Sequence, residues 1–205
     1  MQITEIKKVG KGFRYNVYVD ENYIGTFEAE ILAKYKWKTG QEVAQEEIDK
    51  IKIVNGDLAC FDRALGVLEK SMKTERLLRD YLKEKGYPEE CIDRAINKLQ
   101  DYGYINDGVY AENYIGAYSH MKGRRKLKYD LLSKGVPADV VEEKLDELLD
   151  EDEQYDACRN LTIKYMKNKE WDQKTKQKLF SHLVGRGFDF ALIGRVAREV
   201  NDDRN

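Results

Sequence analysis

Three glycines, Gly86, Gly135 and Gly187, stand 49 and 52 residues apart, and the residues around each follow one register. Leucine lies four residues before each (Leu82, Leu131, Leu183) and again eight before (Leu78, Leu127, Leu179). A basic residue immediately precedes each glycine (Lys85, Lys134, Arg186), and an apolar or aromatic residue follows it (Tyr87, Val136, Phe188). At plus six, plus ten and plus thirteen come Ile92, Ile96 and Leu99, then Val141, Leu145 and Leu148, then Ile193, Ala197 and Val200. Repetition at this period means one small unit copied along the chain.

The register has a physical meaning. Leucines at i and i+4 line one face of a helix that ends just before the glycine. The glycine closes that helix in the left-handed conformation, where a side chain would cost about 1–2 kcal/mol. The cation before it favours the negative end of the helix dipole, and the apolar residue after it folds back on the last turn. Pro88 and Pro137, the only prolines in 205 residues, suit the first turn of the following helix. A third helix precedes each pair. Leu58, Phe61, Leu65 and Leu68 give its core face in the first copy; Ala111, Tyr114, Tyr118 and Met121 do so in the second. Cys158, Leu161 and Tyr165 keep the spacing in the third, with Asn168 in the fourth place. The copies are expected at 57–106, 107–150 and 151–205. Each has a small core, so neighbours should stack into an elongated array.

The first 55 residues differ. Phe13, Tyr15, Val17 and Val19 alternate with Arg14, Asn16, Tyr18 and Asp20, the period of a half-buried strand. Tyr23–Phe27 and Ile3–Lys8 read as further strands, with hairpin turns at Gly10–Gly12 and Asp20–Asn22. Short helices are expected at Glu28–Tyr35 and Gln45–Val54, and Asn55–Gly56 as a break that closes a 1–55 domain. The expected fold is mainly α: three tandem three-helix repeats behind a small β-rich (α+β) domain.

Reactive chemistry is not signalled. Cys60, Cys91 and Cys158 are isolated and read as half-buried reduced thiols. His120 and His182 have no Cys, Asp or Glu at ligand spacing and read as structural or surface residues. No nucleophile elbow, phosphate-cradling loop or metal motif is visible, so no enzyme activity and no cofactor are expected. The segment MQITEIKKVGKGFRY has no apolar run of signal length, and no stretch approaches a membrane span, so a cytoplasmic chain without membrane contact is expected. The Tyr81, Tyr87, Tyr102, Tyr104, Tyr110, Tyr114 and Tyr118 rings mostly follow the helical register and read as core or inter-repeat packing.

Net charge is −2, which argues against a dedicated nucleic-acid binder. Locally the charge alternates: +3 over 107–135 (six cations, three anions), −9 over 139–156 (ten acids, one base) and +6 over 159–186 (eight bases, two acids). Such blocks are ordinarily solvated faces. One of them allows a sharper reading. In Lys122-Gly123-Arg124-Arg125-Lys126-Leu127-Lys128, Gly123 breaks one helix and cations open the next, where they oppose its dipole. That mismatch points to an anion outside the chain. Lys122, Arg124, Arg125, Lys126 and Lys128 are the first contact candidates; Lys174, Lys176 and Lys178 are the second. Reversing Arg124 and Arg125 to glutamate should then weaken binding and spare stability.

The segments TERLLRDYLKEKGYPEECIDRAINKLQDYGYIND, KGRRKLKYDLLSKGVPADVVEEKLDEL and KLFSHLVGRGFDFALIGRVAREV resemble the three repeats of the RecX family of bacterial regulatory proteins, over roughly residues 57–200. KEKGY, GYIND, the basic run before Gly135 and the closing RGF segment carry the resemblance together. The first 55 residues resemble the β-rich leader of some longer members. Membership implies a monomeric modulator of the RecA recombinase in DNA repair, recombination and the SOS response. It implies docking in the groove of the RecA–single-stranded DNA filament, with reduced ATP hydrolysis and strand exchange and at most weak DNA contact. The residues alone also allow a direct single-stranded nucleic-acid binder or a helical scaffold for another protein.

Overall fold

The computed structural model describes residues 1–203. At the N-terminus, β1 (Ile3–Val9), β2 (Arg14–Val19) and β3 (Asn22–Glu28) form an antiparallel sheet in that order. Asp20 and Glu21 both have positive φ (45° and 66°), the conformation a two-residue hairpin turn needs. Val17 and Val19 point inward as their period requires. Phe13, placed on that same face by the alternation, lies in the β1–β2 turn and is 77% exposed. Helices α1 (Ala29–Lys34) and α2 (Gln45–Leu68) close the core around Ile3, Phe27, Trp37, Ile48 and Ile51.

Eight more helices follow: α3 (Glu75–Glu84) and α4 (Glu89–Asp101); α5 (Asp107–Tyr118), α6 (Arg124–Ser133) and α7 (Ala138–Leu148); α8 (Glu151–Met166), α9 (Gln173–Gly185) and α10 (Phe190–Asp202). The helix-helix-glycine-helix unit therefore occurs three times, with the C-terminal half of α2 opening the first.

The expected break at Asn55–Gly56 does not exist, because α2 runs through it. Asn55 has tertiary work there. The Asn55 amide accepts from the Glu28 backbone N–H at 2.9 Å and donates to the Thr26 carbonyl at 3.0 Å. A Cβ on Gly56 would lie 3.5 Å from Cys91 Sγ, an ordinary contact distance, so the helix beside α4 does not require glycine there. The boundary between sheet domain and first repeat thus falls inside a helix. The chain divides into two compact units: Met1–Ser71 with Leu78–Ile105, and Met72–Leu77 with the chain from Asn106 onward.

All three glycine turns form as the register requires. Gly86, Gly135 and Gly187 have φ of 84°, 90° and 86°. Tyr87, Val136 and Phe188 each donate a backbone N–H to the leucine carbonyl five residues back, at 3.2 Å, which satisfies the orphan carbonyls of a helix end. The six register leucines before the glycines are fully buried. Pro88 and Pro137 take the N-cap position, one residue ahead of the expected first turn.

The first helix of each unit keeps part of the expected face: Ala111 and Cys158 are buried as read, whereas Leu58, Phe61, Leu65, Leu68, Tyr114, Met121, Leu161 and Tyr165 are half-buried and Tyr118 is exposed. The central buried positions of this helix are Cys60 and Ala64, Ala111 and Ile115, Cys158 and Thr162, with Ala157 and Met166 also buried in the third copy. Small residues at the centre let the other two helices approach, and the larger Phe61, Tyr114 and Leu161 sit half-buried on the shoulders. The three thiols are accordingly buried instead of half-buried. Tyr102 and Tyr104 are exposed and stack edge-on at 6.0 Å, outside the core role read from their spacing. Leu148 is exposed because α7 ends there.

Candidate partner-binding surface

The repeat register extends further back than the leucines. Thr74 stands twelve residues before Gly86, and Gly123 twelve before Gly135, each just ahead of a second helix. Within the second unit, both positions receive a glycine turn. The Thr74 hydroxyl donates to the Lys134 carbonyl at 2.6 Å and accepts from the Leu77 N–H at 3.2 Å. The Gly123 N–H donates to the Arg186 carbonyl at 2.9 Å, and the Arg125 N–H to the Gly187 carbonyl at 3.2 Å. A helix start, with its unpaired N–H groups, thus meets a helix end with its unpaired carbonyls. The contact is close: a Cβ on Gly123 would stand 2.3 Å from the Gly187 oxygen.

This docking accounts for the cations at the start of α6. They oppose their own helix dipole, but they lie against the carbonyl end of α9, where positive charge is favourable. Each also has an internal anion. Lys122 and Lys126 both reach Asp130 at 2.9 Å, and the Tyr114 hydroxyl donates to the same carboxylate at 3.0 Å. Burial pushes the Asp130 carboxyl up, but these donors outweigh it and hold the group below the usual carboxylate range. Arg124 bridges Glu142 at 2.9 Å and Asp146 at 2.7 Å, Lys128 pairs with Glu142, and Arg125 pairs with Asp189 at 2.9 Å. The inference of an outside anion from the dipole mismatch does not survive, because the charges are met inside the unit. It follows that reversing Arg124 and Arg125 to glutamate would set like charges against Glu142, Asp146 and Asp189. The double variant should lose about 2–4 °C of thermal midpoint by circular dichroism. An unchanged midpoint would show these pairs to be energetically idle.

Lys174, Lys176 and Lys178 differ. Among the described residues none of them forms an ion pair, and Lys174 and Lys178 are exposed on α9. Lys176 lies 5.9 Å from the Trp171 ring. Lys174, Lys178, His182 and Arg186 follow each other at four-residue intervals and so share a face. His182 is half-buried and accepts from Arg186 Nε at 3.1 Å. Burial, with the charges of Arg186 and Lys169, keeps its imidazole below its ordinary pKa. His120 is exposed. An open cleft of about 720 Å³ lies between α6, α8 and α10, lined by Arg124, Arg125, Asp146, Tyr155, Asp189 and Arg195.

Burial raises the Cys60 and Cys158 thiols to about 11, so at neutral pH they are thiols and poor nucleophiles. Among the described residues no cluster of three His, Cys, Asp or Glu side chains is placed to hold a metal ion, and no helix is long and apolar enough to cross a membrane. Sequence reading missed Thr74, Asp130 and the acids of α7. The twelve-residue offset from each glycine was the available signal for Thr74, and the spacing of Lys126 and Asp130 by four was the signal for that pair.

Fold and surface together define a class: a protein of tandem, glycine-closed three-helix repeats with extensively ion-paired surfaces. Three family profiles match in chain order: RecX, first three-helix domain, over 60–99; the second over 106–145; the third over 151–196. The chain belongs to the RecX family of regulatory proteins. It is 38% identical over 193 residues to the regulatory protein RecX of Clostridium perfringens (strain SM101), covering 93% of this chain and 91% of that one. To that of Listeria monocytogenes (serotype 4a, strain HCC23) it is 30% identical over 208 residues, covering 99% and 77%. The crystal structure of RecX from Lactobacillus salivarius matches with a TM-score of 0.64 at 25% identity, over 72% of this chain and 98% of that one. The crystal structure of a regulatory protein RecX shares the fold at a TM-score of 0.70, with 24% identity, over 95% of this chain and 98% of that one.

Proposed function

We propose that this chain is a non-catalytic, cytoplasmic regulator that binds the RecA–single-stranded DNA filament and lowers its ATPase and strand-exchange activities. The observation that carries the reading is the presence of all three RecX three-helix domains, in order. A filament repeats its surface along its length, and tandem units offer several contacts in series to match it. The contact residues proposed are Lys174, Lys176 and Lys178, which form no close ion pair among the described residues, although Lys174 lies near the Asp172 carboxylate. Arg124, Arg125 and Lys128 follow, by exchanging exposed carboxylates for those of the partner, and Lys122 and Lys126, held by the half-buried Asp130, complete the set.

The test is RecA's DNA-dependent ATPase with added protein. At stoichiometric or lower amounts the rate should fall, and an untouched rate overturns the reading. Replacing Lys174, Lys176 and Lys178 together by glutamate should weaken filament binding at least tenfold at unchanged thermal midpoint. Equal binding would remove α9 from the contact.

A second reading, direct binding of single-stranded DNA, is favoured by the Lys174–Lys178–His182–Arg186 face. It requires binding without RecA that weakens steeply with salt as counterions are released. A salt titration on DNA alone separates the two.

A further inference from the structure

We propose that the glycine turn of the first repeat, Lys85–Gly86–Tyr87, docks the N-terminal turn of a helix in the partner protein. The proposal rests on the partner-binding reading above.

The three glycine turns are copies of one another in backbone terms. Their glycines share φ within a few degrees (84°, 90° and 86°). Each glycine donates its N–H to the carbonyl three residues back at 2.9–3.0 Å, and the next residue donates to its leucine at 3.2 Å. Two of the three are occupied, and by the same kind of element. On the Gly135 turn sits the start of α3: the Thr74 hydroxyl bonds the Lys134 carbonyl, and Arg76 Nη2 bonds the Ser133 carbonyl. A Cβ on Gly135 would lie 2.4 Å from Arg76 Cβ. On the Gly187 turn sits the start of α6, with a Cβ at Gly187 placed 2.2 Å from the Lys126 nitrogen.

The third turn is open. Among the described residues nothing lies within 4 Å of a Cβ built on Gly86, and Lys85 and Gly86 are exposed. The same acceptor geometry is therefore presented to solvent. What it fits is given by the two occupied copies: a helix start with a hydroxyl or no side chain at the cap, as in Thr74 and Gly123, and a cation in the first turn, as in Arg76 and Lys126. The partial charges are complementary, a carbonyl end against an N–H end. The exposed Glu84 beside the turn adds an anion for that cation.

This chain's own helix starts do not supply the occupant. Those of α3 and α6 are taken. Those of α5, α8, α9 and α10 are closed by Asn106, Asp150, Asp172 and Asp189, whose side chains accept their own backbone N–H groups. The starts of α1, α2, α4 and α7 carry acids without a cation in the first turn (Glu30; Glu46 and Glu47; Glu89 and Glu90; Asp139), the wrong charge. The occupant proposed is a helix start of the partner protein.

Gly86→Asn tests this in the full-length chain. Asparagine tolerates the left-handed conformation, and the open space leaves room for its side chain within the first unit. With labelled protein and a RecA–single-stranded DNA filament, the variant should bind at least tenfold more weakly at a thermal midpoint near that of wild type. Glu84→Arg, on the exposed rim, should weaken binding several-fold and serves if the first variant folds poorly. Wild-type binding that both folded variants retain within twofold overturns this proposal and leaves the regulatory reading intact. Failure of wild type to bind the filament overturns both. Self-association of wild type that Gly86→Asn abolishes would assign the turn to a second copy and overturn the proposed partner.

Discussion

Gly187→Ala is expected to destabilise the second unit by about 3–5 kcal/mol, enough to unfold it in a large fraction of molecules at 37 °C. Two costs add. Alanine at a φ of 86° carries the left-handed penalty of about 1–2 kcal/mol. Its Cβ would also stand 2.2 Å from the Lys126 backbone nitrogen, so a helix start must move and not merely a side chain. Companion variants separate the costs. Gly86→Ala meets open space and should lose only about 1–2 kcal/mol. Gly123→Ala has ordinary φ (−76°) but the same close contact, and should lose about 2–3 kcal/mol through overpacking. Urea unfolding followed by circular dichroism measures all three. If Gly187→Ala falls no further than Gly86→Ala, the turn does not dock as tightly as described.

Asp130→Ala should lose about 2–4 kcal/mol at pH 7, through the uncompensated charge it leaves behind. The carboxylate is 13% exposed and anchors Lys122, itself 20% exposed, together with Lys126 and the Tyr114 hydroxyl. Removing it strands a half-buried ammonium over the Tyr114 and Tyr118 rings. The pH dependence follows from the sign of the shift. A carboxyl held below its unfolded value of about 3.9 stabilises the fold fully above that pH, and the contribution fades as pH falls through the lower folded value. The gap between wild type and variant should thus be widest near neutrality and narrow markedly by about pH 3. A gap constant from pH 7 to 3 would show that lost packing, and not the ionised carboxylate, accounts for the effect.

Much of this was readable from residues alone because it depends on local rules. A leucine pair, a cation, a glycine and an apolar residue specify a helix and its closure within one short segment, and that segment recurs three times. The resemblance to RecX followed from the same residues. Reading failed where a residue's role was set by something distant in the chain. Asn55–Gly56 has the composition of a break and sits in mid-helix, because Asn55 is held by β3. Tyr118 follows the spacing of a core residue and lies outside it, because Ile115 faces inward instead.

The basic run at 122–128 shows the division clearly. Its charge, its helix-breaking glycine and the inward turn of Leu127 belong to the sequence. That its cations face the carbonyl end of α9 and the acids of α7 belongs to the tertiary structure. Backbone conformation and burial periodicity are set by neighbours a few residues away, so a linear reading reaches them. Charge pairing depends on which helix ends meet, and packing between repeats decides that.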